Sequence, residues 1–264
     1  MNEAALRRVD TAGAKSLTHL PFTLDQGVAR RGAIGLIVLA TDNTIEHEFR
    51  RMLALDGIAF YETRIRNAAE INPTTLAAME QGMAAATSLI MPGAHLDVVG
   101  YGCTSGTVVI GEDKVFARIQ EARPGIACTT PITGAIAGFK ALGAKRIALL
   151  TPYIEEVNQM LRRFIEARGI SVPVMGSFNH ENDLEVARIS ETSIKEAVRR
   201  LAAAERVDAV FVSCTSLRVA MIAEELEREV GMPVTSSNHA MAWHCIRLAG
   251  YKDPVPGFGS LFRL

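Results

Sequence analysis

Residues 97–106 read Asp-Val-Val-Gly-Tyr-Gly-Cys-Thr-Ser-Gly, and residues 208–217 read Asp-Ala-Val-Phe-Val-Ser-Cys-Thr-Ser-Leu. In each stretch a short apolar run, which is typical of a buried strand, ends at the tripeptide Cys-Thr-Ser. The residues after each tripeptide have the pattern of a helix. The two stretches therefore predict two strand-to-helix turns, with the thiols of Cys103 and Cys214 at equivalent points of a repeated structure.

Apolar strand patterns alternate with amphipathic helix patterns along the chain, which predicts parallel sheets covered by helices. This series of strands and helices occurs twice. Cys103 and Cys214 are 111 residues apart and Thr41 and Thr151 are 110 apart, and such a nearly constant offset indicates an internal duplication. We therefore predict an α/β fold of two pseudo-symmetric Rossmann-like domains, each a short parallel sheet flanked by helices. Ligands of such sheets bind beyond the carboxyl ends of the strands, so the active site is expected in the cleft between the domains.

The domain boundaries follow from where the periodic pattern begins and where it repeats. Residues 1–28 show no firm periodicity and are predicted to be an N-terminal extension. The first α/β domain is predicted to comprise residues 29–130 plus 238–264, and the second residues 131–237. Among the elements within them, one helix is expected from Pro73 to about Leu89 and another from about Arg218 to Val230.

The composition is that of a folded globular protein with little net charge. Hydrophobic residues make up 48% of the chain, and 28 basic against 29 acidic residues give a formal net charge of -1. This balance gives no reason to expect nucleic acid or an anionic membrane as partner. No apolar stretch approaches the roughly 20 residues that span a bilayer, and the N-terminus has no secretory-signal pattern. We expect a cytoplasmic homo-oligomer that acts on a small molecule.

The cysteines are placed for chemistry of their own and not for a zinc or redox motif. The chain has four, at positions 103, 128, 214 and 245, and no C-x-x-C pair. In the cytosol such thiols stay reduced. Cys128 and Cys245 lack the repeated motif and are predicted to be buried apolar residues. Cys103 and Cys214 are the candidate catalytic residues, and no metal site is predicted.

The repeated turn combines a base with an anion site. At a helix N-terminus the free backbone N–H groups and the helix dipole stabilise an anion, which predicts a lowered thiol pKa and a reactive thiolate. The hydroxyl side chains that follow each thiol are suited to hold a substrate carboxylate. These side chains are Thr104, Ser105, Thr215 and Ser216. This chemistry needs no metal and no organic cofactor.

The residues alone leave three functions open. If both thiols flank one carbon, one removes a proton and the other delivers one to the opposite face, which is racemisation or epimerisation. If a thiolate adds to an activated double bond, rotation and elimination give cis–trans isomerisation. The third function, of another class, is a small-carboxylate binding protein without catalysis. Protonation after a decarboxylation needs one thiol, so two are more than that reaction requires.

Three other residues are candidates because of where they stand. Tyr153 follows Thr151-Pro152 at a strand end, where its phenol can donate to a carboxylate or carbonyl oxygen. Asn43 is either a substrate ligand or the N-cap of the next helix. Asn238 is predicted to be a helix cap.

Several stretches resemble the Asp/Glu racemase superfamily, in the branch of maleate cis–trans isomerases, arylmalonate decarboxylases and ectoine-utilisation protein A. The stretches are Tyr101-Gly-Cys-Thr-Ser-Gly106, Leu150-Thr-Pro-Tyr153, Phe211-Val-Ser-Cys-Thr-Ser-Leu-Arg218 and Ser236-Ser-Asn238. Two more are most similar to ectoine-utilisation protein A, namely Glu185-Val-Ala-Arg-Ile-Ser190 and Ala242-Trp-His-Cys-Ile-Arg-Leu-Ala-Gly250. The resemblance covers roughly residues 30 to 250.

The resemblance implies a cofactor-independent isomerase or racemase of a small amino, hydroxy or unsaturated carboxylic acid, in ectoine or hydroxyectoine degradation. Both cysteines are essential in two-cysteine members, which implies the same for Cys103 and Cys214. The substrate contacts that the resemblance implies are Asn43, Thr104, Ser105, Tyr153, Thr215 and Ser216.

Two departures narrow these expectations. The decarboxylases have glycine where this chain has Cys103, which disfavours decarboxylation. The maleate isomerases have an asparagine just before Leu-Glu-Val, where this chain has Asp183. An anion thus stands where an amide would contact a dianionic substrate, which argues against maleate itself.

Overall fold

A computed structural model describes residues 19–264, so residues 1–18 of the predicted N-terminal extension lie outside the described part. Residues 19–31 carry no helix or strand. The predicted α/β class is confirmed, because the chain forms two four-stranded parallel sheets flanked by helices. Along residues 19–264, no helix is both long and apolar enough to cross a membrane.

The first sheet and its helices occupy the first half of the chain. They are β1 (Gly32–Leu39), α1 (Ile45–Met52), β2 (Ile58–Ile65), α2 (Pro73–Ala78), α3 (Met83–Ser88), β3 (Val98–Tyr101), α4 (Thr104–Ile110), α5 (Glu112–Ala122) and β4 (Ala127–Thr129). The strand β1 is buried along its whole length, as expected for a parallel strand covered on both faces.

The second half repeats this order of strands, with one helix in place of two between its last two strands and a further helix at each end. Its elements are α6 (Pro131–Leu142), β5 (Arg146–Thr151), α7 (Glu155–Glu166), β6 (Ser171–Ser177), α8 (Asp183–Val186), α9 (Glu191–Ala204), β7 (Ala209–Val212), α10 (Ala223–Val230), β8 (Val234–Ser236) and α11 (Ser237–Leu248). A turn of 3-10 helix, Leu261–Arg263, lies near the C-terminus.

The two sheets have the same topology. Their strand orders are β2-β1-β3-β4 and β6-β5-β7-β8, and every pair is parallel. The order reverses between β1 and β3 and again between β5 and β7. Chains leaving such neighbouring strands diverge to opposite faces and open a crevice at the carboxyl edge. Both Cys-Thr-Ser turns lie at this edge, one after β3 and one after β7.

The helix that follows the last strand of each sheet packs toward the other sheet. α11 follows β8 but contacts β3 and β4 of the first sheet, and Met241 lies where a side chain on Gly100 would be. α6 follows β4, yet its Phe139 ring meets the Phe211 ring of β7 edge-on, with 5.5 Å between centroids. The two helices cross closely at Gly134, where a Cβ would lie 2.7 Å from the Ala240 carbonyl oxygen. These contacts hold the two carboxyl edges together.

One predicted helix is broken. The helix expected from Pro73 to about Leu89 consists of α2, a 3-10 turn at Met79–Gly82, and α3. A Cβ on Gly82 would lie 3.2 Å from the Ile65 side chain. Glycine at this point allows the close approach to β2 and at the same time weakens a continuous helix.

Candidate active site

The first Cys-Thr-Ser turn is held by its own helix. Cys103 is the N-cap of α4, and its Sγ accepts a hydrogen bond from the Gly106 N–H at 3.2 Å. A Cβ on Gly106 would lie 2.9 Å from the Cys103 Sγ and 2.7 Å from the Tyr101 Oη, so only glycine leaves room for the thiol. The strand-to-helix turn predicted at Cys103 is confirmed.

The second turn has the same three residues but a different backbone. Cys214 has a φ of 122°, a value that is strained for any residue except glycine. The residues after it form turns, and α10 begins only at Ala223, so the helix expected from about Arg218 is wrong at its start. The Cys214 N–H donates instead to the Ser237 Oγ at 2.9 Å.

A buried glutamate from the first half takes the place of a helix in holding the second turn. The Glu48 Oε1 accepts from the Val219 N–H at 2.9 Å and from the Ala220 N–H at 2.8 Å. The Asn238 Nδ2 donates to the Glu48 Oε2 and to the Thr215 carbonyl oxygen, both at 2.7 Å. Burial raises the pKa of Glu48 to about 7, although these donors act to lower it. The second turn is thus fixed by contacts distant in sequence.

One hydroxyl joins the two turns directly. The Ser237 Oγ accepts from the Cys214 N–H and lies 2.7 Å from the Thr104 Oγ1. All three residues are buried. The position of one turn therefore depends on the other.

Both turns line one cavity. The predicted residues that line it are Cys103, Thr104, Ser105, Tyr153, Cys214 and Thr215. Its volume, about 20 Å³, is room for a water molecule. Nowhere in residues 19–264 do three His, Cys, Asp or Glu side chains gather as a metal site.

Two predicted substrate ligands lie outside the lining. The Ser216 hydroxyl donates to Asp183 at 2.7 Å. Asn43 is exposed, and its Oδ1 accepts from the Thr44 Oγ1 at 3.3 Å. The free N–H groups at the start of α1 are bound by the Asp42 carboxylate and not by Asn43, so Asn43 is not the predicted N-cap. Its role as a substrate ligand stays a prediction.

Asp183 lies in the cavity with both thiols. Its carboxylate accepts from the Thr41 Oγ1 at 2.5 Å and from the Ser216 Oγ at 2.7 Å. Its N–H donates to the Ala69 carbonyl oxygen at 3.0 Å. Thr41 is fixed in turn by Asn67, whose Nδ2 donates to the Thr41 Oγ1 at 2.7 Å. The sequence marked Asp183 as a departure, and the structure makes it part of the cavity wall.

The thiol pKa values run opposite to the expectation. Burial raises the pKa of Cys103 to about 11, although the Gly106 N–H and the Ser105 hydroxyl lower it. Burial also raises the pKa of Cys214, and the negative charge of Asp183 raises both. The prediction of a lowered thiol pKa is wrong. At Cys103 the removal of the thiol from water raises the pKa more than the hydrogen bond from the Gly106 N–H lowers it.

Each thiol has a phenol beside it. Tyr153 lowers the pKa of Cys214 and Tyr101 lowers that of Cys103, each as a lesser effect than burial, while the Tyr101 hydroxyl donates to the Met79 Sδ at 3.4 Å. Both tyrosines are fully buried. The Tyr153 loop is fixed by the Asn158 Nδ2, which donates to the Tyr153 carbonyl oxygen at 2.8 Å.

Four residues at the site were absent from the predicted set or had another role. Tyr101 belongs to the quoted motif but reads as a strand residue, and Glu48 reads as the polar face of α1. Ser237 carries a signal, since it follows a strand end as the threonines of the repeated turn do. Asn238 was predicted as a helix cap, but Ser236 caps α11 and Asn238 contacts Glu48.

A sequence model of the family described as arylmalonate decarboxylase matches residues 34–262. The chain belongs to this family. The predicted likeness to the branch of arylmalonate decarboxylases and maleate isomerases is thereby confirmed. The closer likeness to ectoine-utilisation protein A stays a prediction.

The individual relatives include both maleate isomerases and an arylmalonate decarboxylase. The maleate isomerase of Nocardia farcinica is 28% identical over 241 residues, which cover 87% of this chain and 95% of that protein. The arylmalonate decarboxylase of Bordetella bronchiseptica is 35% identical over 140 residues, which cover 52% of this chain and 58% of that protein.

Solved structures show the same fold. A Nocardia farcinica maleate cis–trans isomerase mutant with a covalently bound succinylcysteine intermediate matches with a TM-score of 0.78 at 26% identity, covering 88% of this chain and 98% of that one. A mutant arylmalonate decarboxylase in the liganded form matches with a TM-score of 0.79, also at 26% identity and with the same coverage of both chains.

Proposed function

We propose that the chain is a cofactor-independent isomerase that racemises or epimerises a small carboxylic acid with two cysteines. The observation that carries the proposal is the shared cavity: Cys103 and Cys214 enter it from pseudo-equivalent turns of the two halves. Thiols presented by two related edges are suited to opposite faces of one carbon. The family's relatives include isomerases, which supports the reaction class.

The proposed reaction divides the work among the lining residues. The thiolate of one cysteine removes the proton from the carbon beside the substrate carboxylate and becomes a thiol. The thiol of the other cysteine gives its proton to the opposite face and becomes a thiolate. The hydroxyls of Thr104, Ser105 and Thr215 hold the carboxylate, whose negative charge grows as the carbon loses its proton.

A second candidate reaction is maleate-type cis–trans isomerisation. Here the Cys103 thiolate adds to one carbon of the double bond while the Cys214 thiol gives its proton to the other, and the new single bond rotates. The Cys214 thiolate then takes a proton back from that carbon, and elimination releases the trans acid and the Cys103 thiolate. The specific support is the similarity to a maleate isomerase over nearly its whole length and to a structure with a succinylcysteine intermediate.

The proposal extends to partners and setting. A small carboxylic acid is the proposed partner, with no nucleic acid and no membrane, and the proposed place of action is the cytoplasm, where thiols stay reduced. A role in ectoine or hydroxyectoine degradation is part of the proposal and rests on resemblance. Self-association is supported by apolar side chains exposed near the start of the described chain, including Phe22 and Leu24.

The test is a panel of amino, hydroxy and unsaturated acids incubated with the enzyme in heavy water. Mass spectrometry and chiral chromatography follow deuterium uptake and inversion for the wild type, Cys103→Ala and Cys214→Ala. We expect inversion to be lost in both variants. Cys128→Ala is the control, because Cys128 is a free cysteine outside the cavity lining and its replacement should leave turnover unchanged.

Each remaining outcome assigns a function. Inversion that persists in both cysteine variants contradicts the two-thiol site. A succinyl adduct on one cysteine peptide, with geometric isomerisation of maleate, favours the second reaction. If ligands bind with unchanged affinity in both variants and no acid turns over, the chain is the catalytically silent binding protein.

A further inference from the structure

Asp183 is a buried carboxylate with no cation to balance it. Its side chain is 6% exposed, and it forms no ion pair with any Lys, Arg or His in residues 19–264. Two hydroxyl donors hold its oxygens, from Thr41 and Ser216. Buried charges in proteins are ordinarily paired, so this carboxylate is incomplete without a positive group.

The neighbouring buried ionisable side chains are acidic, and none of them is basic. Asp42 and Glu48 are also buried nearby, and neither takes part in an ion pair within the described chain. The guanidinium of Arg64 lies on the outer side, where its Nη1 donates to the Asp42 carbonyl oxygen and its Nη2 pairs with Glu46. A substrate with two negative charges therefore meets repulsion here, whereas a substrate with a positive group is attracted.

Asp183 is held in place by pairing between loops of the two halves. Glu70 and Asn182 form an antiparallel bridge, and the Ile71 N–H donates to the Glu181 carbonyl oxygen at 2.9 Å. The Asn182 side chain caps α8, which begins with Asp183. Because Glu70 and Ile71 also line the cavity, this pairing holds Asp183 in the same cavity wall as both thiols.

We propose that Asp183 binds the ammonium group of the substrate, which makes the substrate a small amino acid with its ammonium on or beside the reacting carbon. This inference rests on the proposed two-cysteine reaction and names its substrate class. The ammonium takes the place opposite Asp183, while the hydroxyls of Thr104 and Thr215 take the substrate carboxylate.

An ammonium at this point also activates the thiols. The negative charge of Asp183 raises the pKa of Cys103 and of Cys214, and a bound ammonium cancels that charge. A thiolate then forms more readily when substrate is present than in the empty cavity. The positive charge also stabilises the carbanion that forms when the proton leaves the adjacent carbon. Proton removal and return balance without any oxidant or reductant.

The experiment compares amino acids with matched acids in which a hydroxyl replaces the ammonium. The pairs are L-alanine with L-lactate, L-serine with L-glycerate, and L-aspartate with L-malate, and maleate is included as the unsaturated dianion. Calorimetry measures binding, and deuterium uptake in heavy water measures turnover. The proteins are the wild type, Asp183→Asn and, as the matched control, Asp56→Asn at an exposed position.

We expect the wild type to bind at least one amino acid at least 10-fold more tightly than its hydroxy partner. Asp183→Asn keeps the shape, with its Oδ1 accepting from one hydroxyl and its Nδ2 donating to the other, but loses the charge, so it should lose this preference and at least 100-fold in kcat/KM for the amino acid. Its affinity for maleate should rise. The pH at which iodoacetamide reacts with Cys103 should fall, because the neighbouring charge is gone. Asp56→Asn should match the wild type in every measurement.

The results that would contradict the role of Asp183 differ from those that would contradict the proposed reaction. If no amino acid binds more tightly than its hydroxy partner, or if Asp183→Asn leaves the preference intact, the inference is wrong even when turnover depends on both cysteines. If amino acids bind through Asp183 but no acid is inverted, the inference stands as a binding site and the proposed reaction fails.

Discussion

The two Cys-Thr-Ser turns have the same three residues and the same place in the topology, yet they are built in different ways. At the first, Cys103 caps its own helix with an ordinary extended backbone. At the second, Cys214 has a strained φ of 122° and no helix follows for eight residues, from 215 to 222. The first turn is held by neighbours in sequence, the second by Glu48, Ser237 and Asn238. The duplicated motif therefore places two thiols in one cavity, but local contacts fix the first turn and contacts from distant parts of the sequence fix the second.

The largest expected effect is on stability, and it concerns the second turn. Glu48→Ala leaves the N–H groups of Val219 and Ala220 and the Asn238 amide without their buried acceptor. Each orphaned donor costs on the order of 1–3 kcal/mol, so we expect a loss of about 4 kcal/mol in the free energy of unfolding. Urea denaturation measures it.

Glu46→Ala is the matched control on the same helix. Glu46 pairs with Arg64 at the surface, so its removal should cost less than about 1 kcal/mol. Equal losses in the two variants would show that the second turn does not depend on Glu48.

The next effect is a dependence of the free energy of unfolding on pH, which arises from Glu48. Burial raises its pKa from 4.5 to about 7 in the folded protein, so the folded state holds the proton more tightly than the unfolded state. Its stabilising contribution is full below pH 4.5 and is lost as the pH rises through 7. The loss amounts to about 3 kcal/mol over that window. Glu48→Gln should lack this slope.

The measurement is the difference in unfolding free energy between wild type and Glu48→Gln at each pH. Buried His239, whose pKa burial lowers to about 4, acts in the opposite direction but is present in both proteins and cancels. Parallel curves from pH 4.5 to 7 would contradict the prediction.

A smaller effect separates the first turn from the second. In Gly106→Ala the new Cβ meets the Cys103 Sγ and the Tyr101 Oη, which displaces the thiol from the Gly106 N–H. We expect kcat/KM to fall 10- to 100-fold, about 1.4–2.7 kcal/mol in the activation barrier. Alanine favours a helix more than glycine does, which offsets part of the strain, so the free energy of unfolding should fall by less than the activation barrier rises.

In the Gly106→Ala variant, the alkylation rate of Cys214 serves as the internal control for that of Cys103. Alkylation followed by peptide mass spectrometry should show an altered rate at Cys103 and an unaltered rate at Cys214. A change at both thiols would mean that the two turns are not supported separately.

The smallest effect distinguishes the two backbones. Glycine tolerates the φ of Cys214, so Cys214→Gly should be more stable than Cys214→Ala by about 1 kcal/mol. Cys103 has an ordinary φ, so Cys103→Gly should be less stable than Cys103→Ala by about 0.5–1 kcal/mol. Both glycine variants shifting stability in the same direction would contradict the contrast. Thermal melts of the four variants suffice.

Periodicity predicted the parts of the fold that local sequence controls. The strand-to-helix turn predicted after residues 97–101 is where the pattern places it, since β3 ends at Tyr101 and α4 begins at Thr104. The late start of α10 was not predictable, because a glutamate far away in sequence takes the N–H groups of Val219 and Ala220.

The site was predictable in its thiols and hydroxyls but not in its electrostatics. The repeated motif identified Cys103 and Cys214 as occupants of one cavity, since equivalent strand ends meet at one edge. The direction of their pKa shift was wrong because burial and the charge of Asp183 depend on tertiary packing. The contacts of Glu48 and Ser237 are likewise non-local.

The most direct test of the account is the fate of deuterium in the first turnovers of the wild type in heavy water. If Cys103 and Cys214 act on opposite faces of one carbon, as proposed, the inverted product should carry solvent deuterium at that carbon while the unreacted substrate carries none. Chiral separation followed by mass spectrometry measures both pools. Inverted product that retains the substrate's own hydrogen, or equal deuterium in both pools from the start, would contradict the two-thiol account.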